Sequence, residues 1–444
     1  LKEENLMALG VQELQEMVRP DRVHRRVYLD PGLFEEEMAR VHGRAWLYVG
    51  HESQVPNPGD FFATRMGRVQ VVLARHKDGA IHVLHNRCGH KGAAVVGQRC
   101  GTAKFFQCMY HGWVYETNGA LHAVPQRKGY DGTAIDLTSP AHGMTPVART
   151  ETYRGFVFAS LAPEGPDLET FLGATRRSID NMVDRAPAGE LEVVGGSFRV
   201  VMRSNWKMML ENLNDLMHPM IAHVSSTEAA EQEEAALPPG LKPPPEIPLL
   251  TSNGWPYEFW NGLRVVCCDY GHSLMGGINT PRDTDPVFVS YTRALEEANG
   301  VERAEEILSY PSVMTFIYPS LSVHTAYQQL RVIHPVAFDR TELEVWTLRL
   351  KGAPQEMYQR SRVYANLVNS PSSIGNADDV EAFMRIHRGL ESDPREWVSQ
   401  HRAFGQDQDA EEGVLASPGT SEIPMRNQFR AWIGYMTGEW GNGG

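Results

Sequence analysis

Two short segments, Cys88-Gly89-His90 and Cys108-Met109-Tyr110-His111, constrain this chain more than any other stretch. Each offers one thiol and one imidazole, and seventeen residues separate them. The surroundings are β-type. Apolar runs at Val69 to Leu73, Ile81 to Leu84, Phe105 to Gln107, Trp113 to Glu116 and Phe156 to Phe158, broken by Gly, read as short strands. Asn118-Gly119 lies between Trp113-Val114-Tyr115-Glu116 and Ala120-Leu121, and both residues tolerate positive φ, so a tight hairpin is expected there. A small β-rich domain in which two loops each present a thiolate and an imidazole follows.

That donor set suits a two-iron, two-sulfide cluster in which the cysteines hold one iron and the histidines the other, an arrangement that raises the reduction potential above that of an all-Cys cluster. Gly89, Gly92 and Gly112 flank the ligands, where missing side chains would let backbone N–H groups approach the sulfides. A structural zinc site is the alternative, but zinc usually spaces its first ligand pair by about two to four residues, and C-x-H fits that poorly.

A second donor cluster lies in Glu211-Asn212-Leu213-Asn214-Asp215-Leu216-Met217-His218-Pro219-Met220-Ile221-Ala222-His223. On an ideal helix Glu211, Asp215 and His218 share a stripe about 60° wide, while His223 lies about 140° round from His218. Both imidazoles can face one ion only if the helix is broken. Pro219 lacks an N–H and disfavours helical geometry at His218, so a kink or a π-type widened turn is expected there. An iron(II) site that binds O2 wants two histidines and one carboxylate on one face. The carboxylate must come from elsewhere. In Ser372-Ser373-Ile374-Gly375-Asn376-Ala377-Asp378-Asp379-Val380-Glu381, Asp378 has Glu381 three residues on, the spacing of a capping box, which makes Asp378 the expected N-cap and leaves Asp379 free. The lesser alternative reads both as helix-start acids that answer the helix dipole.

The segment Asn86-Arg87-Cys88-Gly89-His90-Lys91-Gly92 resembles the first cluster loop of Rieske iron-sulfur domains, with Lys91 where that family usually has Arg. With the second cluster added, the chain from about Arg22 to its C-terminus resembles the large (α) subunit of Rieske non-haem iron aromatic-ring-hydroxylating oxygenases. That family's motif, an acid, three residues, Asp, two residues, His, four residues, His, is met by Glu211, Asp215, His218 and His223. The resemblance implies that Cys88, His90, Cys108 and His111 hold a [2Fe-2S] cluster and that His218, His223 and Asp379 bind a mononuclear Fe(II). It implies that Asp215 links His218 to His111 or His90 of a neighbouring subunit. Asn212 and Leu213 would line the substrate pocket, with plain packing the alternative for Leu213. The implied architecture is α+β, with an N-terminal helical segment (1–43) packed on the catalytic domain, a Rieske domain (44–161), and a catalytic domain of helices on an antiparallel sheet (162–444).

The implied reaction is hydroxylation of an aromatic ring with O2, as cis-dihydroxylation or, alternatively, as ring monohydroxylation or O/N-demethylation. Small monocyclic, often carboxylated or amino-substituted rings fit the resemblance better than polycyclic hydrocarbons. NAD(P)H would supply electrons through a separate reductase, with or without a ferredoxin, to an α3 or α3β3 oligomer with a small β subunit. A bare electron carrier like a Rieske ferredoxin is disfavoured by the roughly 280 residues beyond Leu161 and by the second metal motif.

The remaining features set the context. The 444 residues carry a net charge of −13, which argues against nucleic acid or anionic lipid as partner, and no run is apolar for long enough to cross a bilayer. The polar start Leu1-Lys2-Glu3-Glu4 lacks a signal pattern, so a cytoplasmic address is expected. The five cysteines are odd in number and irregularly spaced, unlike a disulfide framework, and Cys100, Cys267 and Cys268 are expected to be buried small hydrophobes. Asp30-Pro31 starts a helix bearing Phe34, Met38 and Val41. Further helices are expected over Asp167 to Val183, Gln355 to Leu367, Val380 to Leu390 and near Met425, Phe429 and Trp432. Leu191 to Met202 reads as a strand. Val313 to Tyr318, Leu330 to Ile333 and Glu344 to Leu350 read as an antiparallel sheet. Residues 225–250, with the acidic Glu228 to Glu234 and Pro243-Pro244-Pro245, read as a solvated loop or a lid, and residues 405–420 as a loop.

Overall fold

The computed structural model describes residues 10–244, 246–276, 285–370, 373–410 and 413–440. Leu1 to Glu4, Pro245 and Ser372 lie outside them. The chain divides into two compact units: His42–Leu168, and the described residues up to Val41 together with those from Glu169 onward.

The His42–Leu168 unit is built from three antiparallel sheets. Four strands run in the order Ile81–His85, Val69–Arg75, Asp60–Met66, Cys100–Thr102; three in the order Leu121–Ala123, Val114–Tyr115, Phe106–Gln107; three in the order Arg149–Tyr153, Phe156–Ser160, Leu47–His51. The first two sheets bury Phe61, Val72, Leu84, Phe106 and Tyr115, with the neighbouring Trp113, in one core that also takes in Cys88 and Cys108. The Asn118-Gly119 turn differs from the expectation in one respect. Only Gly119 takes positive φ, at +91°, whereas the Asn118 side chain accepts from the Ala120 N–H at 3.0 Å. A side chain at 119 would also meet the Met144 carbonyl at 2.4 Å. Cys100 is exposed, contrary to expectation, because its three-residue strand lies at a sheet edge and all three residues are exposed.

The larger unit is organised on a ten-stranded antiparallel sheet. Its order is Leu191–Val193, Arg340–Leu350, Gln329–Ala337, Leu321–His324, Ser312–Ile317, Ser273–Gly276, Arg264–Cys267, Leu415–Pro418, Gln408–Asp409, with Phe198–Met202 also paired to Arg340–Leu350. The single strand expected over Leu191 to Met202 is thus two, parted at Gly195-Gly196, where Gly195 takes φ +82°. Two of the ten strands come from the stretch 405–420 that reads as a loop. In the middle of the sheet Gln329 through Pro335 are buried without alternation, so this strand is covered on both faces. The register sets Ser322 opposite Arg331, and His324 opposite Gln329.

The helix Pro31–Arg40 begins as its sequence dictates, with Asp30 accepting from the Gly32 and Leu33 N–H groups and Pro31 in the first turn. Its Glu37, with no exposed surface, accepts from the indole N–H groups of Trp206 and Trp432, each at 2.8 Å, and pairs with the buried Lys207. A buried carboxylate with three donors is fully answered, which ties this helix to the helices Trp206–Leu213 and Ile423–Thr437. The acidic stretch Glu228 to Glu234 is not a loop but lies within the helix Val224–Ala235, which exposes those acids along its length. The expected helix over Asp167 to Val183 is interrupted at Gly173, whose φ of +48° parts Leu168–Leu172 from Arg176–Asp184.

Candidate metal centres

In the smaller unit the two Cys/His loops make the same turn. Gly92 N–H donates to the Cys88 carbonyl and Gly112 N–H to the Cys108 carbonyl, each at 3.0 Å, and the loops close through Cys88 N–H to Ala93 and Cys108 N–H to Trp113, each at 2.8 Å. Both turns need a left-handed residue, and glycine supplies it at 92 (φ +78°) and 112 (φ +71°). At 89 the constraint is space, since an added Cβ would lie 2.5 Å from the His142 carbonyl. Cys88 and Cys108 are each 2% exposed, whereas His111 is exposed and His90 half-buried. The imidazole rings of His90 and His111 are 4.6 Å apart, and His90 stacks on Trp113 at 5.0 Å and 6°. The His90 Nδ1 is buried and has no hydrogen-bond partner.

Tyr115 completes this site, and nothing in its spacing marked it beforehand. Its oxygen accepts from the Gly89 N–H at 3.0 Å, and its hydroxyl lies 2.9 Å from Cys88 Sγ. Burial, and then the contact with Cys88, raises the phenol's pKa, so the proton stays on oxygen and is donated to sulfur. Burial opposes the Cys88 thiolate, yet the hydrogen bonds from Tyr115 and the His90 backbone outweigh it and lower the thiol's pKa. Two buried thiols behind two rim imidazoles, one with an orphaned buried nitrogen, fit a two-iron cluster with Cys on the inner iron and His on the outer.

In the larger unit the helix does break between Glu211 and His223, but not where proline was expected to break it. The helix Trp206–Leu213 ends at Asn214 (φ −104°, ψ 5°), whose amide donates back to the Leu210 carbonyl at 2.9 Å. Pro219 starts a new four-residue helix, Pro219–Ala222, the position where its missing N–H costs nothing. His223 then precedes the helix Val224–Ala235. The stripe of Glu211, Asp215 and His218 is therefore absent: the helix ends before Asp215, and Glu211, half-buried, accepts from the Tyr28 hydroxyl at 2.7 Å.

His218, His223 and Asp379 converge, with one donor atom from each within 4.8 Å of the others. The His218 Nε2 and the His223 Nε2 both lie 3.6 Å from Asp379 Oδ1. Ligands about 2.1 Å from one ion at right angles are about 3 Å apart, so the set is nearly at coordination spacing. The outer nitrogens are occupied: His218 Nδ1 lies 2.8 Å from the Asp215 carbonyl and His223 Nδ1 3.4 Å from Asp378 Oδ2. Acceptors at Nδ1 put the proton there and leave both Nε2 lone pairs facing the common point. Burial lowers the His218 pKa, favouring the neutral imidazole that a metal needs. Asn212 Nδ2 stands 3.0 Å from both His218 Nε2 and Asp379 Oδ1, so its amide touches two of the three convergent donor atoms. These residues fit a single metal ion.

Asp378 is not the N-cap expected of it. Ser373 takes that role, its Oγ accepting from the Asn376 N–H at 3.0 Å, so the helix Ile374–Ser392 starts earlier and Asp378 lies within it. It is thereby free to answer His223. Asp215 directs its carboxylate to the Met217 N–H at 2.7 Å and to Arg402 at 2.9 Å. Arg402 comes from the far end of the chain and carries no local signal that could have found it. Leu213 is buried.

Residues 45–141 match the Rieske [2Fe-2S] domain family, and residues 189–438 match the ring hydroxylating alpha subunit (catalytic domain) family. The chain is 32% identical over 397 residues to the toluate 1,2-dioxygenase subunit alpha of Pseudomonas putida, covering 86% of this chain and 84% of that protein. It is 31% identical over 442 residues to the biphenyl 2,3-dioxygenase subunit alpha of Rhodococcus jostii (strain RHA1), covering 94% and 90%. The structure of naphthalene 1,2-dioxygenase from Rhodococcus sp. bound to indole superposes with a TM-score of 0.80 at 25% identity, covering 98% of this chain and all of that one. No described helix is long and apolar enough to cross a membrane. The chain thus belongs to the Rieske-type aromatic-ring-hydroxylating oxygenase α subunits, terminal oxygenases that carry a [2Fe-2S] domain and a catalytic domain for mononuclear iron and work with electron-transfer partners.

Proposed function

We propose that this chain performs the cis-dihydroxylation of an aromatic ring, with Cys88, His90, Cys108 and His111 holding the cluster and His218, His223 and Asp379 holding iron. The observation that carries the reading is the convergence of two Nε2 atoms and one carboxylate oxygen on one point, in a chain that also presents the paired Cys/His loops. When bound, the two groups supply one-electron reduction and O2 chemistry respectively. The protein's own part is placement. Asp215 and Asp378 fix the two imidazoles by their Nδ1 atoms, and the Asn212 amide stands where it can hydrogen-bond a group beside the ligand atoms. Leu213, one residue on, belongs to the pocket wall in this reading. Asp215, touching His218 through its carbonyl, is the residue we assign to coupling His218 with a cluster histidine of a neighbouring subunit.

The division into a helical segment (1–43), a Rieske domain (44–161) and a catalytic domain (162–444) is part of this proposal. So are an α3 or α3β3 assembly, NAD(P)H as electron source through a reductase with or without a ferredoxin, and a cytoplasmic address, which five unpaired cysteines favour. Product analysis tests the reaction. With a surrogate reductase and a panel of benzoates, anilines and fused rings, the product is a cis-diol; a phenol or an aldehyde would instead mark a monooxygenase.

A further inference from the structure

Arg331 is 4% exposed, in the middle of the large sheet. Its neighbours are weak for a buried cation. Nε donates to Gln329 Oε1 at 2.7 Å and Nη1 points at the Met314 thioether at 3.7 Å, and the Tyr364 hydroxyl is its other polar contact. Among the described residues no carboxylate forms an ion pair with it, and the acid whose charge does reach it, Asp379, is committed to the metal triad. A guanidinium taken out of water without a paired anion is expensive, by several kcal/mol.

The groups around it share one bias. Ser322 lies directly opposite Arg331, and His324 directly opposite Gln329, so all four side chains leave the same face of the sheet. Ser322 Oγ, His324 Nδ1 and Gln329 Nε2 are each buried and without a partner. The orientation of Gln329 is settled by Arg331: a guanidinium has no acceptor, so Oε1 must face it, leaving the amide N–H2 unanswered. Ser322 offers a hydroxyl proton. His324, pushed down to about 3 by burial and by the Arg331 charge, is neutral at physiological pH and has one N–H to give. His324 and Tyr327 both lean on Tyr364, whose ring walls this side. A cluster made of donors, with one fixed positive charge and no acid of its own, lacks only an anionic acceptor.

We propose that Arg331, Ser322, His324 and Gln329 form a receptor for a carboxylate on the ring, so that the substrates are aromatic carboxylates rather than hydrocarbons. This rests on the ring-hydroxylase reading, and it makes a choice that the relatives leave open, since their names include both a ring carboxylate and hydrocarbons. Asp379 ties the receptor to the metal triad, because its charge acts on Arg331 while its oxygen faces His218 and His223. Recognition of this kind is strongly selective: a neutral ring would leave the buried donors unpaired.

The test is calorimetric binding of benzoate and of benzyl alcohol, a neutral ring of similar size, to the purified intact oxygenase, repeated on Arg331→Gln, Ser322→Ala and His324→Leu. Benzoate binds at least about tenfold more tightly than benzyl alcohol, and Arg331→Gln lowers that preference by about tenfold or more. The other two substitutions lower it by less, and they decide the matter if Arg331→Gln does not fold. Equal binding of the two probes, no measurable binding of benzoate, or a preference that survives every folded variant overturns the proposal. Benzoate that binds in an Arg331-dependent way but is not hydroxylated leaves the receptor standing and strikes the ring-hydroxylase reading instead.

Discussion

Asp215 serves His218 and Arg402 with different atoms: its backbone carbonyl lies 2.8 Å from His218 Nδ1, and its carboxylate lies 2.9 Å from the Arg402 guanidinium. The ring orientation of a candidate ligand is therefore set by main chain, while the side chain of the same residue is held by an ion pair. Asp215→Asn keeps the carbonyl and loses the charge. Iron content and the visible spectrum of the cluster stay as in the parent, because the carbonyl that orients His218 is retained, while the turnover rate falls at least about tenfold, about 1.4 kcal/mol on the barrier, through loss of the charged carboxylate assigned to the coupling. Unchanged product formation would take the coupling role away from Asp215.

Tyr115 donates a hydrogen bond to Cys88 Sγ, and a donor to a cluster sulfur favours the reduced, more negative form. Tyr115→Phe lowers the midpoint potential of the cluster by about 60 mV, the one-electron equivalent of a hydrogen bond worth about 1.4 kcal/mol. A redox titration followed by visible absorbance or paramagnetic resonance checks this. An unshifted potential would mean that the contact is structural only.

Glu211 gives the protein a pH-dependent stability. Burial, partly offset by the Tyr28 hydroxyl and Lys207 and reinforced by Glu422 and Asp215, pushes its carboxyl up to about 7. In the unfolded chain the group ionises near the ordinary glutamate value, so between that value and 7 the folded state binds more protons. Stability contributed here is full at low pH, falls as pH rises through this window, and levels off above it, by about 3 kcal/mol in all. Denaturant unfolding of Glu211→Gln, which keeps an acceptor for Tyr28, shows a flatter profile from pH 5 to 8 and a variant more stable than the parent at pH 8. Parallel profiles would show that Glu211 is ionised in the folded state.

Asp378 holds the Nδ1 side of His223 without facing the convergent point itself. Asp378→Ala weakens iron retention about tenfold against a chelator, judged by the concentration needed to strip half the metal, with the cluster untouched. Equal retention in variant and parent would leave His223 positioned by its helix-start geometry alone.

Much of this architecture was readable where its cause is local. The two Cys/His loops announce themselves because the residues that shape each turn, Gly89 and Gly92 in one and Gly112 in the other, sit beside the ligands. Asp30-Pro31 likewise starts its helix as the capping rules require. Where a distant residue decides, the sequence misleads. Asp378 carried the capping-box spacing, yet Ser373 captured the helix start and freed the acid for His223. Pro219 was expected to break a helix that Asn214 had already ended, so it opens the next one instead. Arg402 joins Asp215 from nearly two hundred residues away. Arg331 lies in a strand buried on both faces, where apolar and polar residues no longer alternate and a period of two cannot mark it.

The most direct test of two separate metal centres in one chain is iron and sulfide analysis of His218→Ala beside the parent, with O2 uptake and product measured on the same samples. The account predicts one iron atom fewer per chain, an unaltered cluster spectrum and acid-labile sulfide content, and no O2-dependent product. Product formation that persists, or a cluster lost together with the mononuclear iron, would contradict it.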